Sequence, residues 1–300
     1  MNTDTQQHLR RGYIFAICAA ALFSTKPILI KWAYQYGIDP TSLLALRMGF
    51  AMPVYVILGI ALLRRSTPAL SAKEWAGAAL VGIAGYYLAS YFDLQGLKLA
   101  NAQLERIILY AYPTMVVILG ALIFGNKISR NQWIAMVLCY AGILSIFIKD
   151  LSLQGEQVIT GAGLILISAL TFAFYMLFSK GYIDKLGSLL FTCVAMASAS
   201  LAIGIHAGIE SVVNPPAPFE LGLELLGIIL LLTFGATIVP SFMTSEAVKH
   251  IGAANAALTG TLGPLMTSLM AVIFLGEVFT WMHALGMALV VFGIRQLGKK

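Results

Sequence analysis

Charge is scarce in this 300-residue chain, with 19 Lys or Arg and 13 Asp or Glu, 11% of the residues. An ordinary soluble domain carries roughly 25%. Hydrophobic residues make up 59% of the sequence, and the mean hydropathy is +0.87. A fold of this size cannot hide so many apolar side chains from water, so a water-soluble enzyme and a disordered chain are both excluded. Cysteine is nearly absent. Cys18, Cys139 and Cys193 lie far apart inside apolar runs, which excludes a disulfide scaffold. The four His are scattered, and no His-Glu-x-x-His, Gly-x-Ser-x-Gly or Gly-x-x-x-x-Gly-Lys-Ser/Thr pattern occurs. The expectation is therefore a protein that is not an enzyme, with no cofactor, no metal and no ATP site. Alternation of apolar and polar residues is also missing, which excludes a transmembrane β-barrel.

Long apolar runs are present instead. A bilayer core of ~30 Å needs about 20 mostly apolar residues per helix. Reading between charges gives ten such segments joined by short connections, hence an all-α polytopic membrane protein with ten transmembrane helices. Arg10-Arg11 before the first run resembles the start of a signal peptide, but the apolar segment continues to Tyr34 and nine more follow. With the N-terminus inside, thirteen cations fall on the cytoplasmic side: Arg10, Arg11, Arg64, Arg65, Lys73, Lys127, Arg130, Lys180, Lys185, Lys249, Arg295, Lys299 and Lys300. Only Lys98 and Lys149 fall outside. That asymmetry predicts cytoplasmic N- and C-termini. It also accounts for the net charge of +6 through topology and anionic lipid, with no nucleic acid as partner.

A repeat is visible. Shifting the sequence by 151 residues matches nine positions over 98–143 against 249–294, among them Pro113 with Pro264, Gly125 with Gly276 and Gly142 with Gly293. The predicted organisation is two five-helix repeats, 1–148 and 157–300, joined by 149–156. A unit with an odd number of spans re-enters from the opposite face, so the repeats are inverted. Inverted repeats are common in secondary transporters, with the substrate site between the halves near the midplane.

At this point the sequence resembles the EamA family of the drug/metabolite transporter superfamily, over essentially its whole length. The resemblance rests on the 5+5 layout, on Leu46-Arg47 in the second span, and on Phe274-Leu275-Gly276-Glu277-Val278-Phe279-Thr280 followed by Gly286 and Gly293. The first half departs from the Gly-Glu pattern, because Asn126 follows Gly125, so Glu277 reads as a local helix-end feature. Span one has Phe23-Ser24-Thr25-Lys26 where the family commonly has a tryptophan. The resemblance implies a bacterial inner-membrane carrier working by alternating access, with spans five and ten outside the cavity.

Ionisable residues within spans are costly, ~2.5–3.5 kcal/mol each at the bilayer centre, and must be paired or face water. At 1.5 Å per residue, Lys26 lies about 10 Å below the outer surface. Arg47, Asp93, Glu105 and Arg106 fall in the same outer third. Their partners under the repeat shift are uncharged: Leu177, Ser198, Thr244, Ala256 and Ala257. Two readings stay open, an ion-pair network tying helices together and a substrate site. In the second, Lys26 and Arg106 hold an anionic group with Tyr86, Tyr91, Tyr110, Tyr175, Asn255 and Thr259, while Glu105 or Asp93 carries a proton. Arg47 is expected in a structural ion pair, Lys31 as a snorkelling surface lysine, and Pro113 and Pro264 as paired hinges. The predicted function is proton-coupled export of a small amino-acid-like or anionic metabolite. Uptake of such a metabolite, or a lipid-linked-substrate flippase or its partner subunit, is the alternative. Expected partners are the small-molecule substrate, the lipid bilayer and protons, with the chain a monomer or homodimer.

Overall fold

A computed structural model describes residues 3–65, 70–260 and 262–297, without the side chains of 3–8, 245, 248–249, 252–258 and 297. The described residues form helices and connections, with no strand among them. The first half contains α1 (Thr3–Ser24), α2 (Lys26–Tyr34), α3 (Pro40–Arg65), α4 (Ala72–Gly82), α5 (Ala89–Leu99), α6 (Ala102–Leu109), α7 (Tyr112–Phe124) and α8 (Arg130–Gln154). The second contains α9 (Gln157–Leu186), α10 (Ser188–Val213), α11 (Leu223–Leu230), α12 (Val239–Gly260), α13 (Gly263–Leu275) and α14 (Trp281–Leu297). Among the described residues, seven helical stretches are long and apolar enough to cross a membrane: Leu9–Tyr34, Pro40–Arg65, Ala102–Phe124, Arg130–Gln154, Gln157–Leu186, Ser188–Val213 and Leu223–Thr244. Large apolar side chains face outward, with Leu80, Leu122, Val137 and Leu269 each more than 60% exposed. Only a hydrocarbon solvent suits such a surface, and the chain is a multi-pass membrane protein.

Local chemistry sets the helix ends. Ser71 and Ser129 open α4 and α8 with capping boxes completed by Glu74 and Gln132. Gly125 and Gly276 close α7 and α13 in the left-handed region, at φ +68 and +65, where a Cβ would be strained. Pro113 and Pro264 sit in the first turns of α7 and α13, where a missing N–H costs nothing. Each lies shortly after the end of the preceding helix, at Leu109 and Gly260. Two π-helical segments, Ile83–Leu88 and Leu231–Ile238, interrupt the helices before α5 and before α12.

Close backbone approaches recur in corresponding places. A Cβ on Gly142 would lie 2.6 Å from the Gly286 carbonyl oxygen, and one on Gly293 would lie 2.9 Å from that of Ala135. Cys139 Sγ faces the Val290 carbonyl at 3.7 Å. Residues 135 and 286, 139 and 290, and 142 and 293 are partners under the 151-residue shift, so α8 and α14 cross through one self-corresponding seam. A Cβ on Gly12 would lie 2.5 Å from Ile251, and one on Gly161, two residues before the shift partner of Gly12, would lie 3.1 Å from Ala100, the shift partner of Ile251.

The boundary expected between spans eight and nine, near 245–252, is not a gap in helical hydrogen bonding, which runs through α12 from Val239 to Gly260. The chain nevertheless turns back there. Ala16 and Gly12 on α1 meet Ala247 and Ile251, an antiparallel course. Ser24, about 18 Å further along α1, bonds Gly263. A straight rod through Ile251 would carry Gly263 the opposite way. The first half marks its matching turn with an extended Ala100 and with Asn101, whose side chain accepts from the Leu104 N–H. Gly252 stands at the corresponding place and has no side chain to cap a helix.

Candidate functional site

The breaks bring the charged side chains together. Helix α1 ends at Ser24, and Lys26 opens α2. Its Nζ donates to Asp93 Oδ2 of α5 at 2.7 Å; the Lys26 side chain is 19% exposed and that of Asp93 2%. Glu105, in the first turn of α6, is buried against Asp93, with Arg106 and Lys26 its nearest cations. Both Glu105 carboxylate oxygens and Asp93 Oδ1 lack a hydrogen-bond donor among the described residues. Arg106 spends its donors elsewhere. Its Nε bonds Thr267 Oγ1 at 3.0 Å, and Nη2 donates to the Phe23 carbonyl at the α1 break. Ser24 Oγ completes this junction with a 3.1 Å bond to the Gly263 carbonyl. Four helices of the first half and α13 of the second therefore meet around two adjoining carboxyls.

The remaining expected residues are placed as follows. Arg47 is buried on α3 but makes no direct ion pair within 4 Å among the described residues. Its Nη2 donates to Ser90 Oγ at 3.1 Å, with Asp93 the nearest carboxylate, and Nε is unpartnered. One helical turn separates Ser90 from Asp93, so the guanidinium stops short at the nearer oxygen. Lys31 faces Glu277 and Glu105 instead of standing free at the surface. Tyr110 reaches across to the Gly260 carbonyl at 2.6 Å, bridging the two helix breaks. Tyr86 and Tyr175 bond each other at 3.2 Å, while Tyr91 packs on His206 with ring centroids 5.1 Å apart. The hydrogen bonds and ring contacts of these three tyrosines run to neighbouring rings, because Gly85 lets Tyr175 press against the π-helical backbone. Thr259 lies in the last turn of α12, and the Asn255 side chain lies outside the described residues.

Sequence reasoning missed two features. Asp150 and His283 form a fully buried pair, Nε2 to Oδ1 at 3.2 Å, between α8 and α14. Nothing local links residues 133 positions apart, although Thr280 three residues before His283 is a recognisable helix start. Glu277 is not confined to its own helix end, since it accepts from the backbone N–H groups of Ala102 and Gln103 at the start of α6. Burial pushes the Glu277 carboxyl pKa up, and the two amides and Lys31 pull it back only in part.

The two carboxyls of the cluster, Asp93 and Glu105, are buried in this conformation. Two open clefts, about 420 and 350 Å³, are lined by residues from Ile57 to Arg65 and from Lys185 to Leu190, with Leu62. Arg64 lies about 25 Å along α3 from Arg47. Neither cleft includes a member of the charged group.

Comparisons with known proteins agree along the whole chain. The model of the EamA-like transporter family matches twice, over residues 10–148 and 159–297. An uncharacterized transporter of Bacillus subtilis (strain 168), YcbK, is 27% identical over 98% of this chain and 96% of its own length. The chloramphenicol-sensitive protein RarD of Pseudomonas aeruginosa is 26% identical over 90% of this chain and 87% of its own. One solved crystal structure superimposes with a TM-score of 0.63 over 96% of each chain, at 18% identity, and speaks for the fold alone.

Proposed function

The chain belongs to the EamA-like transporter family, and from that premise we propose that it is a proton-coupled exporter of a small amino-acid-like or anionic metabolite. It works by alternating access in the inner membrane, as ten helices in two inverted five-helix repeats, 1–148 and 157–300, with both termini cytoplasmic. The self-corresponding seam of α8 and α14, the paired π-helical segments and the paired contacts at Gly12 and Gly161 support the repeat. The cation asymmetry of the loops supports the orientation.

One observation carries the mechanism. Glu105 is buried with no donor to either oxygen among the described residues, and it adjoins an Asp93 that Lys26 already holds. Two adjoining carboxyls offer a place for one proton, and one cation can be drawn between them. Arg106 and Lys26 supply the positive charge for a substrate carboxylate. The ammonium of an amino-acid-like substrate is drawn between the ionised Asp93 and Glu105; a proton taken up between the two carboxyls displaces it, so substrate and proton bind in turn, as export against an inward proton gradient requires. The tyrosines and Thr259 line the path, and the breaks at Pro113 and Pro264 let α6 and α7, and α12 and α13, move relative to each other.

The test is a panel of radiolabelled amino acids and small organic acids in proteoliposomes, with and without an imposed pH gradient. Glu105→Gln is expected to abolish gradient-driven accumulation and to spare counterflow. Equal loss of both reduces Glu105 to a structural residue.

A further inference from the structure

The sequence Gly276-Glu277-Val278-Phe279-Thr280 connects α13 to α14, and it is pinned at both ends. Toward α8, the Thr280 backbone N–H donates to His283 Nδ1 at 3.1 Å, and the Thr280 hydroxyl lies 2.8 Å from the same nitrogen. That nitrogen therefore accepts, and the opposite ring nitrogen, Nε2, faces Asp150 Oδ1 as donor. Toward α6, Glu277 Oε1 accepts from Ala102 N at 2.7 Å and Oε2 from Gln103 N at 3.2 Å. The Gln103 side-chain amide returns a bond to the Val278 carbonyl at 3.4 Å. The first amides of a helix have no partner within it, and a carboxylate there meets both the free N–H groups and the positive end of the helix dipole. Asn101 takes the Leu104 amide. Of these three amides, two are thus held by a side chain from the other half of the molecule.

Helix α6 is eight residues long and carries Glu105 and Arg106 immediately after these amides. A rod so short moves as one body, so whatever fixes its start fixes those two side chains. The corresponding connector of the first half has Asn126 in place of the glutamate. The hold is one-sided, as the charges are.

We propose that Glu277 is a positioning residue: from the connector between α13 and α14 it clasps the start of α6, sets where Glu105 and Arg106 stand, and links the two halves at the outer face. Its part in transport rests on the carrier reading, while the clasp itself does not.

Hydrogen–deuterium exchange on the full chain in lipid nanodiscs tests the clasp without any substrate. Glu277→Gln keeps the shape but turns an NH2 group toward one amide. Exchange at Ala102 and Gln103 is expected to rise roughly tenfold, the loss of one hydrogen bond to a charged group, with α8 and α14 unchanged. Gln103→Leu, which removes the side-chain bonds to Val278 and Glu277 but keeps the two backbone amides on the carboxylate, gives a smaller rise at the same amides. Labelling of Glu105 by dicyclohexylcarbodiimide, read by mass spectrometry, reports the position of that carboxyl. It is expected to change severalfold in Glu277→Gln. Unchanged exchange overturns the clasp, and exchange raised in every helix makes Glu277 a general structural residue. A local rise with unaltered Glu105 labelling overturns the positioning role. None of these results depends on transport, so failure here and failure of the carrier reading are told apart.

Discussion

Removing Lys26 should cost more than removing its partner, because the two truncations leave different charges behind. Lys26→Met deletes the cation bonded to Asp93 at 2.7 Å and leaves Asp93 beside Glu105, two buried carboxyls with no ammonium between them. Breaking a buried pair by removing one member costs ~3–5 kcal/mol. The Lys26 side chain keeps 19% of its exposure, and so some solvent screening, which sets the expected loss at about 3 kcal/mol. Asp93→Asn leaves an ammonium that already has Glu105 nearby, and it relieves the carboxyl–carboxyl contact. Its expected cost is about 1–2 kcal/mol. The double variant Lys26→Met with Asp93→Asn removes both charges and should fall within about 1 kcal/mol of the parent. The assay is equilibrium unfolding in mixed detergent micelles, analysed as a double-mutant cycle. A double variant whose loss equals the sum of the single losses refutes the pairing. Asp93→Asn costing more than Lys26→Met refutes the place given to Glu105.

Two further outcomes are expected. Gly142→Ala puts a Cβ 2.6 Å from the Gly286 carbonyl oxygen, which must move the α14 backbone, so thermal unfolding should show a loss of ~1–3 kcal/mol. Gly163→Ala meets nothing within 4 Å and should be neutral or stabilising; equal effects at both sites would deny that the α8–α14 seam is closely packed. Glu74, exposed in the first turn of α4, is held down from its ordinary 4.5 to about 2 by the hydrogen bond from Lys185, then by those from the Ser71 backbone and hydroxyl. Its folded pKa is depressed, so its contribution is complete above pH 4.5 and drains away as the pH falls toward 2. Spin labels at Lys73 and Asp184 should report a small separation of α4 from the end of α9 within that window, absent in Glu74→Gln.

Hydropathy made the apolar helices legible, while Pro113 and Pro264, expected as hinges within spans, stand in the first turns of separate helices, α7 and α13. Clustering of Lys26, Asp93, Glu105 and Arg106 was also legible, because depth along a helix follows from counting residues. Partner choice was not. Nothing in the spacing says that Arg106 turns to a carbonyl freed at Ser24, or that Arg47 stops at Ser90. Such choices depend on helix rotation and on which backbone groups a break leaves open. Seven residues separate Tyr86 from Asp93, about two helical turns on a regular helix. The π-helical segment Ile83–Leu88 winds the chain differently before Asp93, so counting regular turns does not fix which faces the two residues occupy.

The breaks and the charges of the first half belong to one cause. Ending α1 at Ser24 frees carbonyls beside the charged cluster, and separating α5 from α6 at Ala100 and Asn101 frees amides there. In an apolar solvent each free backbone group costs several kcal/mol, so polar side chains must come to meet it. Arg106 meets the Phe23 carbonyl, while Glu277 meets the Ala102 and Gln103 amides. Each of these charges then needs a counter-charge, and Glu105 lies beside Arg106 as Lys31 faces Glu277. Helix α9, the counterpart of α1 and α2, runs unbroken from Gln157 to Leu186 and has Leu177 where Lys26 would stand. An unbroken helix frees no carbonyl at that depth and draws in no charge. Closing the α1 break by substitution would therefore be expected to strand Arg106 without its acceptor.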